Sequence, residues 1–200
     1  MGSRPTVDST CSDAASGCLP TAALVEGRCR ISTLVGILEP TPSPQLLVGR
    51  RSIVGNVYTI TMVCRNRYRV FDCPANASLA MQLLGSMDRE GLTTSHAWIV
   101  MPDHIHWLAQ LRGHSLGYCV QRFKARSSFL MNRRRGSSGA IWQAGYHDQA
   151  IRSEESLHRH AHYIMANPVR AGLATQIGEH PYGWCRWPLG ELESARGDGC

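Results

Sequence analysis

Ser95-His96-Ala97-Trp98-Ile99-Val100-Met101-Pro102-Asp103-His104-Ile105-His106-Trp107-Leu108-Ala109-Gln110-Leu111 is the stretch that decides how this chain folds. Two apolar runs, rich in β-branched and aromatic residues, flank Met101-Pro102-Asp103. Pro and Asp favour turns, so the pattern predicts strands over 95–101 and 104–111 joined by a tight connection. Alternate residues of a strand point the same way. His104 and His106 therefore share one face, while Ile105 and Trp107 point to the other and can pack on helices. Two imidazoles side by side suit a metal ion. A strand His-x-His can equally be polar surface, and with nine His in the chain the pair alone does not decide.

Working outward, Val57-Tyr58-Thr59-Ile60-Thr61-Met62-Val63-Cys64 has strand composition. Asn76 to Glu90 places Leu79, Leu83, Leu84 and Met87 at helical spacing, and Gly91 follows as a stop signal. Ser115 to about Asn132 reads as a basic amphipathic helix with Leu116, Val120, Phe123 and Leu130 toward a core. A basic Gly/Ser-rich loop spans 133–139, and a short strand is expected over 148–152. Ser153 is a good N-cap for a helix running to Asn167, with Glu154 and Glu155 at its positive start and Pro168 closing it. The order β-α-β-β-α-β-α predicts an α+β fold. The expected assembly is a ferredoxin-like (RRM-like) four-stranded antiparallel sheet with helices on one face, plus a C-terminal helix carrying Tyr163. Residues 1–49, rich in Ser, Thr, Pro and Gly, read as a poorly structured tail apart from a short apolar stretch around 31–38. The folded domain is expected over 50–190, and residues 191–200 as a flexible C-terminus.

The 43% apolar content suffices for one core, and no run of 18 apolar residues is present, so no membrane span is expected. No basic-then-apolar leader is visible, which makes the cytoplasm the expected compartment. The eight cysteines form no Cys-x-x-Cys pair and read as reduced thiols and small core residues. Net charge is +6, and its placement says more than its size. From His104 to His147 there is no Asp or Glu, while Arg112, Arg122, Lys124, Arg126, Arg133, Arg134 and Arg135 all fall there. Such a block suits a polyanion, most simply nucleic acid, although a solvated basic face without a partner is the plain alternative.

A second centre lies at His160-Ala161-His162-Tyr163-Ile164-Met165-Ala166-Asn167-Pro168. On a helix Leu157, Ala161 and Ile164 form an apolar stripe, and His160, Tyr163 and Asn167 lie on an adjoining face. Tyr163 and Asn167 can then address one point. If that point is an ion held by His104 and His106, two imidazoles and an amide oxygen leave positions open for phosphate and water. Phenol is a poor nucleophile until activated, and a divalent ion stabilises the charge that develops on a phosphate under attack. A phosphotyrosine keeps the energy of the phosphodiester, so cutting and rejoining need no ATP. Competing motifs fail on spacing. Leu108 stands where a histidine-triad hydrolase needs a third His, and the His-x-Glu and Pro-Cys-x-x-Cys of zinc deaminases are missing. No P-loop, dinucleotide fingerprint or Gly-x-Ser-x-Gly elbow occurs.

Three blocks taken together, Trp98 to His106, Trp142-Gln143-Ala144-Gly145-Tyr146-His147-Asp148, and Tyr163 to Leu173, resemble the IS200-like single-tyrosine (Y1) transposases, in particular the REP-associated tyrosine transposase branch. The resemblance spans roughly residues 50–187. It implies His104 and His106 as paired metal ligands and Asn167 as the residue completing the site. It also implies Tyr163 as a nucleophile that forms a 5′-phosphotyrosine, with Mg²⁺ or Mn²⁺ as cofactor. The implied substrate is single-stranded DNA bearing REP-like hairpins, and the protein would be a monomer or homodimer. His162 stands where an acidic residue often precedes the tyrosine of such proteins.

The residues expected to meet DNA phosphates are Arg122, Lys124, Arg126, Arg133, Arg134 and Arg135. Arg65, Arg67 and Arg69 make a second patch. Tyr146 is expected to stack on bases, while Trp142 fits base stacking and a core position equally well. A module that binds hairpins without cleaving them is the alternative function.

Overall fold

The structure, a computed structural model, describes residues 52–188; the expectations for 1–49 and 191–200 lie outside the described residues. Its elements are β1 (Val57–Val63), α1 (Pro74–Arg89), β2 (Thr93–Met101), β3 (His104–Leu111), α2 (Leu116–Arg135), β4 (His147–Ile151), α3 (Glu154–Met165), α4 (Asn167–Arg170) and β5 (Gly183–Cys185). The strands form one antiparallel sheet in the order β4-β1-β3-β2-β5. The first four follow the expected ferredoxin-like order. The crossover through α1 separates β1 from β2 by one strand, and β3 fills that slot by folding back over Pro102-Asp103.

Strand alternation divides the sheet into two faces with different partners. Tyr58, Ile60, Met62, Trp98, Val100, Ile105, Trp107 and Leu111 pack with Leu83, Leu84 and Met87 of α1 and Leu116, Val120 and Phe123 of α2. Trp107 is fully buried and donates its indole N–H to Ser95 Oγ at 2.9 Å, so the largest side chain of the core is satisfied as well as packed. Ala97, Ile99, Met101 and Leu108 face the other way, against Ala161, Ile164 and Met165 of α3.

Helices therefore lie on both faces, which corrects the one-face expectation. The Ala161/Ile164 stripe is the physical reason, because it needs apolar cover and β2 and β3 offer a second apolar row. The sheet also has five strands where four were expected. β5 is three residues long and pairs Ala97–Ile99 of β2. Gly183 fits there because a Cβ would stand 2.5 Å from Ile99 Cδ1 and 3.2 Å from Met165 Cε. The last helix differs too. α3 ends at Met165, and Asn167 opens the separate turn α4 with Pro168 in its first turn, where the missing N–H is harmless. The Cys64 and Cys119 thiols are free and buried in the core. Among the described residues no helix is long and apolar enough to cross a membrane.

Candidate active site

The β1–β3 and β2–β3 registers set His104 between Val63 and Met101, and His106 between Thr61 and Ile99. Both imidazoles share the sheet face that α3 covers, since Ile99 and Met101 pack against that helix. Their rings meet edge to face, at an interplanar angle of 88° with centroids 4.8 Å apart. The two Nε2 atoms are 3.2 Å from one another. Each Nδ1 has its own partner: Asp103 Oδ1 at 2.6 Å for His104, and Thr61 Oγ1 at 2.9 Å for His106. An ionised carboxylate only accepts, so Asp103 holds a proton on His104 Nδ1; in the neutral ring this leaves the lone pair on Nε2. Thr61 Oγ1 can accept from His106 in the same sense. Two lone pairs facing at this distance repel unless a proton or a cation lies between them. Two nitrogens bonded to one ion at about 2.1 Å, in tetrahedral or octahedral geometry, are about 3.0–3.4 Å apart. The pair thus has the spacing and the outward anchoring that metal-binding histidines require.

Electrostatics keep His106 in its ligating form. Burial, then the neighbouring His104 and Arg170 charges, push the His106 imidazole down to about 4, so it is neutral at pH 7. Burial raises the Asp103 carboxyl, but the hydrogen bond and charge of His104 and the contact with Arg67 outweigh it and hold Asp103 below its ordinary value. Arg67 Nη1 donates to Asp103 Oδ2 at 3.2 Å. Asn66 and Arg67 both adopt φ of 53°, a left-handed conformation rare for side chains with a Cβ. That tight turn after β1 aims Arg67 back at the β2–β3 connection.

Tyr163 is half-exposed near the end of α3. Its hydroxyl accepts a hydrogen bond from Arg170 Nη2 at 2.8 Å, and the guanidinium carbon stands 4.1 Å from its ring centroid. Asn167 is buried, and its Nδ2 donates to the carbonyls of Tyr163 at 3.0 Å and Ile164 at 3.2 Å. With the amide nitrogen engaged, Oδ1 is the atom available to a ligand. Among the described residues neither Tyr163 nor Asn167 hydrogen bonds to either imidazole, and Arg170 links the tyrosine electrostatically to His106. No group of three or more His, Cys, Asp and Glu side chains able to hold a metal occurs among the described residues.

The basic residues expected to meet DNA are placed elsewhere. Helix α2 covers the face opposite the histidines. Arg122 and Arg126 on it both pair with Glu90, and Arg134 Nη1 donates to the Ala75 carbonyl at 2.8 Å. Lys124 Nζ donates to the carbonyls of Gln143, at 2.9 Å, and Gly145, below Trp142. Arg133, Arg135 and Arg65 are exposed and make no side-chain hydrogen bond or ion pair among the described residues. Arg69 pairs with Asp72. Trp142 takes its core position, buried, with its indole N–H on Ser127 Oγ at 2.9 Å. Tyr146 is partly buried against the same core. The sequence reading missed Thr61, Asp103 and Arg170 as parts of the site. Arg170 was open to discovery, since it follows Tyr163 by seven residues, about two helical turns. Thr61 was not, because only strand register brings it to His106.

Comparison with known proteins now bears on this geometry. A REP-associated tyrosine transposase of Haemophilus influenzae is 31% identical over 94 residues, covering 42% of this chain and 53% of that protein. The chain thus spans about half the length of that relative. A REP-associated tyrosine transposase of Escherichia coli K12 is 25% identical over 138 residues, covering 66% of this chain and 78% of the other. Among solved structures, a REP-associated tyrosine transposase bound to a REP hairpin superposes with a TM-score of 0.56 at 25% identity, covering 67% of this chain and 79% of that one. The family described as "Transposase IS200 like" matches residues 53–167, which is more than half of the sequence and runs from the approach to β1 through Asn167; the chain belongs to the IS200-like transposase family.

Proposed function

We propose that this protein is a metal-dependent single-stranded DNA endonuclease and strand transferase that acts on hairpin-bearing, REP-like DNA through a 5′-phosphotyrosine on Tyr163. The observation that carries the reading is the convergence of His104 and His106 Nε2 at 3.2 Å, with their outer nitrogens anchored on Asp103 and Thr61. His104, His106 and the Asn167 amide oxygen would hold Mg²⁺ or Mn²⁺, ions that suit the carbonyl oxygen of Asn167 and the oxygens of water and phosphate at the remaining positions. When bound, the ion supplies a positive charge that stabilises the phosphate oxygens under attack. The chain itself supplies the nucleophile from the end of α3 and, on β3, the paired imidazoles, of which His106 is held neutral by burial. The exposed Arg133, Arg135 and Arg65 suit phosphates of the flanking strand, and the E. coli relative and the hairpin-bound structure make a REP-type hairpin the substrate of choice for the test.

The test incubates the full chain with end-labelled single-stranded DNA carrying an imperfect hairpin, with Mn²⁺. A covalent protein–DNA adduct is expected. Tyr163→Phe abolishes it, and chelation of the metal abolishes it in the wild type. Absence of an adduct over a range of hairpins and flanks, while the DNA still binds, overturns catalysis and leaves a hairpin-binding protein.

A further inference from the structure

Arg170 is an exposed residue at the end of α4, within the Tyr163 to Leu173 block, and its placement marks it as functional. The break at Ala166 and the following turn bring its guanidinium over the Tyr163 ring at 4.1 Å, and Nη2 reaches the hydroxyl at 2.8 Å. No carboxylate pairs with it among the described residues, unlike Arg67, Arg69, Arg122, Arg126 and Arg159. It is thus a cation whose side-chain polar contact among the described residues is the Tyr163 hydroxyl. A guanidinium has five N–H donors in a planar fork that matches phosphate, and one of them occupies the phenol. Tyr163, which it contacts, stands on α3, whose apolar stripe docks beside Ile99 and Met101 on the sheet face that carries the histidine pair.

We propose that Arg170 is a catalytic residue: it holds the Tyr163 hydroxyl in place for attack and offers its remaining N–H groups to a non-bridging oxygen of the phosphate that this hydroxyl attacks. The inference rests on the strand-cleaving function proposed above. In the step, a bond forms between Tyr163 Oη and phosphorus, and the bond from phosphorus to the 3′ oxygen breaks. The phenolic proton passes to water, and the departing 3′ oxygen takes a proton from water. Arg170 stays protonated throughout and is not the base. It works by position and charge. Its hydrogen bond keeps the phenol from rotating into solvent, and its free edge meets the charge that builds on the phosphate oxygens as the new bond forms. Attraction between the guanidinium and the ring face beneath it helps keep the two side chains together.

The experiment measures single-turnover adduct formation on a hairpin-bearing single strand with Mn²⁺, beside equilibrium binding of the same strand. Wild type, Arg170→Ala and Arg170→Lys are compared, each with and without added methylguanidine. Loss of an aimed donor in a site of this kind typically slows chemistry by about 10²–10³-fold, and Arg170→Ala is expected in that range. Affinity for the strand should change by less than about 3-fold, because only one phosphate contact is removed. Arg170→Lys should recover part of the rate, and methylguanidine should accelerate Arg170→Ala but not wild type, which a packing role would not do. Adduct formed by Arg170→Ala at the wild-type rate, or slowed only in proportion to weakened binding, overturns the role of Arg170 and leaves the cleaving function standing. Failure of wild type to form any adduct overturns both.

Discussion

At the scale of single residues, the site is made by side chains that orient one another. His104 and His106 are adjacent because a strand repeats every two residues, but adjacency alone leaves each ring free to turn. Asp103 and Thr61 remove that freedom by taking the outer nitrogens, so both inner nitrogens face one point. Partners of this kind typically set metal affinity by 10–100-fold, so Asp103→Ala should weaken Mn²⁺ binding by about that factor. Titration calorimetry measures it directly. Thermal stability should shift little, since Asp103 stands at a surface turn. Unchanged Mn²⁺ affinity in that variant would mean that the carboxylate does not orient His104. Tyr163→Phe removes one oxygen, leaves the ring under Arg170, and separates chemistry from binding.

At the scale of elements, the site depends on how α3 meets the sheet. The stripe of Ala161, Ile164 and Met165 docks on Ala97, Ile99 and Met101, and this docking sets Tyr163 and Asn167 on the histidine face. β5 seals the edge of that contact. Its Gly183 lies where a methyl group would press on Ile99 and Met165. Gly183→Ala should therefore destabilise the fold by about 1–3 kcal/mol, the usual range for overpacking a filled core. Denaturant titration tests it, and a variant as stable as wild type would show that Ile99 and Met165 yield without strain. α2 does different work. Ser115 caps it by accepting from the Tyr118 N–H at 3.2 Å, and Gly136 ends it at a φ of 59°. Between these ends its apolar face is buried on the sheet side away from the histidines, so its arginines lie on the far side of the sheet from His104 and His106. Two of them share Glu90, which leaves Arg133 and Arg135 as the less encumbered charges on the helix.

At the scale of the molecule, the two faces of one sheet divide the labour: α1 and α2 build the main core, and α3 with α4 builds the site. The core also predicts a pH response. Burial, with Asp103 adding and Lys124 opposing, pushes the Cys64 thiol up to about 12, and burial raises Cys119 to about 11. Above pH 9 the unfolded chain releases thiol protons that the folded chain keeps, so this contribution to stability is present below pH 9 and falls as pH rises toward 11–12. Lys124, pushed down to about 8 by burial, acts in the opposite sense between pH 8 and 10.5. The comparison that isolates the thiols is wild type against a Cys64→Ala/Cys119→Ala variant, whose denaturation midpoint should fall less between pH 9 and 10.5. In the wild type at pH 8, both thiols should alkylate at least about 100-fold more slowly than the partly exposed Cys73, because the thiolate is the reacting form. Equal labelling of all three by mass spectrometry would contradict the burial described.

Strand composition, helical spacing and turn residues were enough to place β1, β2, β3, α1 and α2 within a few residues, and the His-x-His pair on a common strand face, because those patterns are local. The tyrosine and asparagine were legible as a pair because three- and four-residue spacing survives even the break at Ala166. What the chain order leaves open is everything that depends on which distant segments touch. Sequence alone does not show that α3 lies on the opposite face from α1 and α2, or that three residues at 183–185 form a fifth strand. It does not show that Thr61 sits beside His106 or that Arg170 caps Tyr163. Each of those is settled by strand register or by the burial of an apolar stripe against a surface that exists only once the sheet has formed.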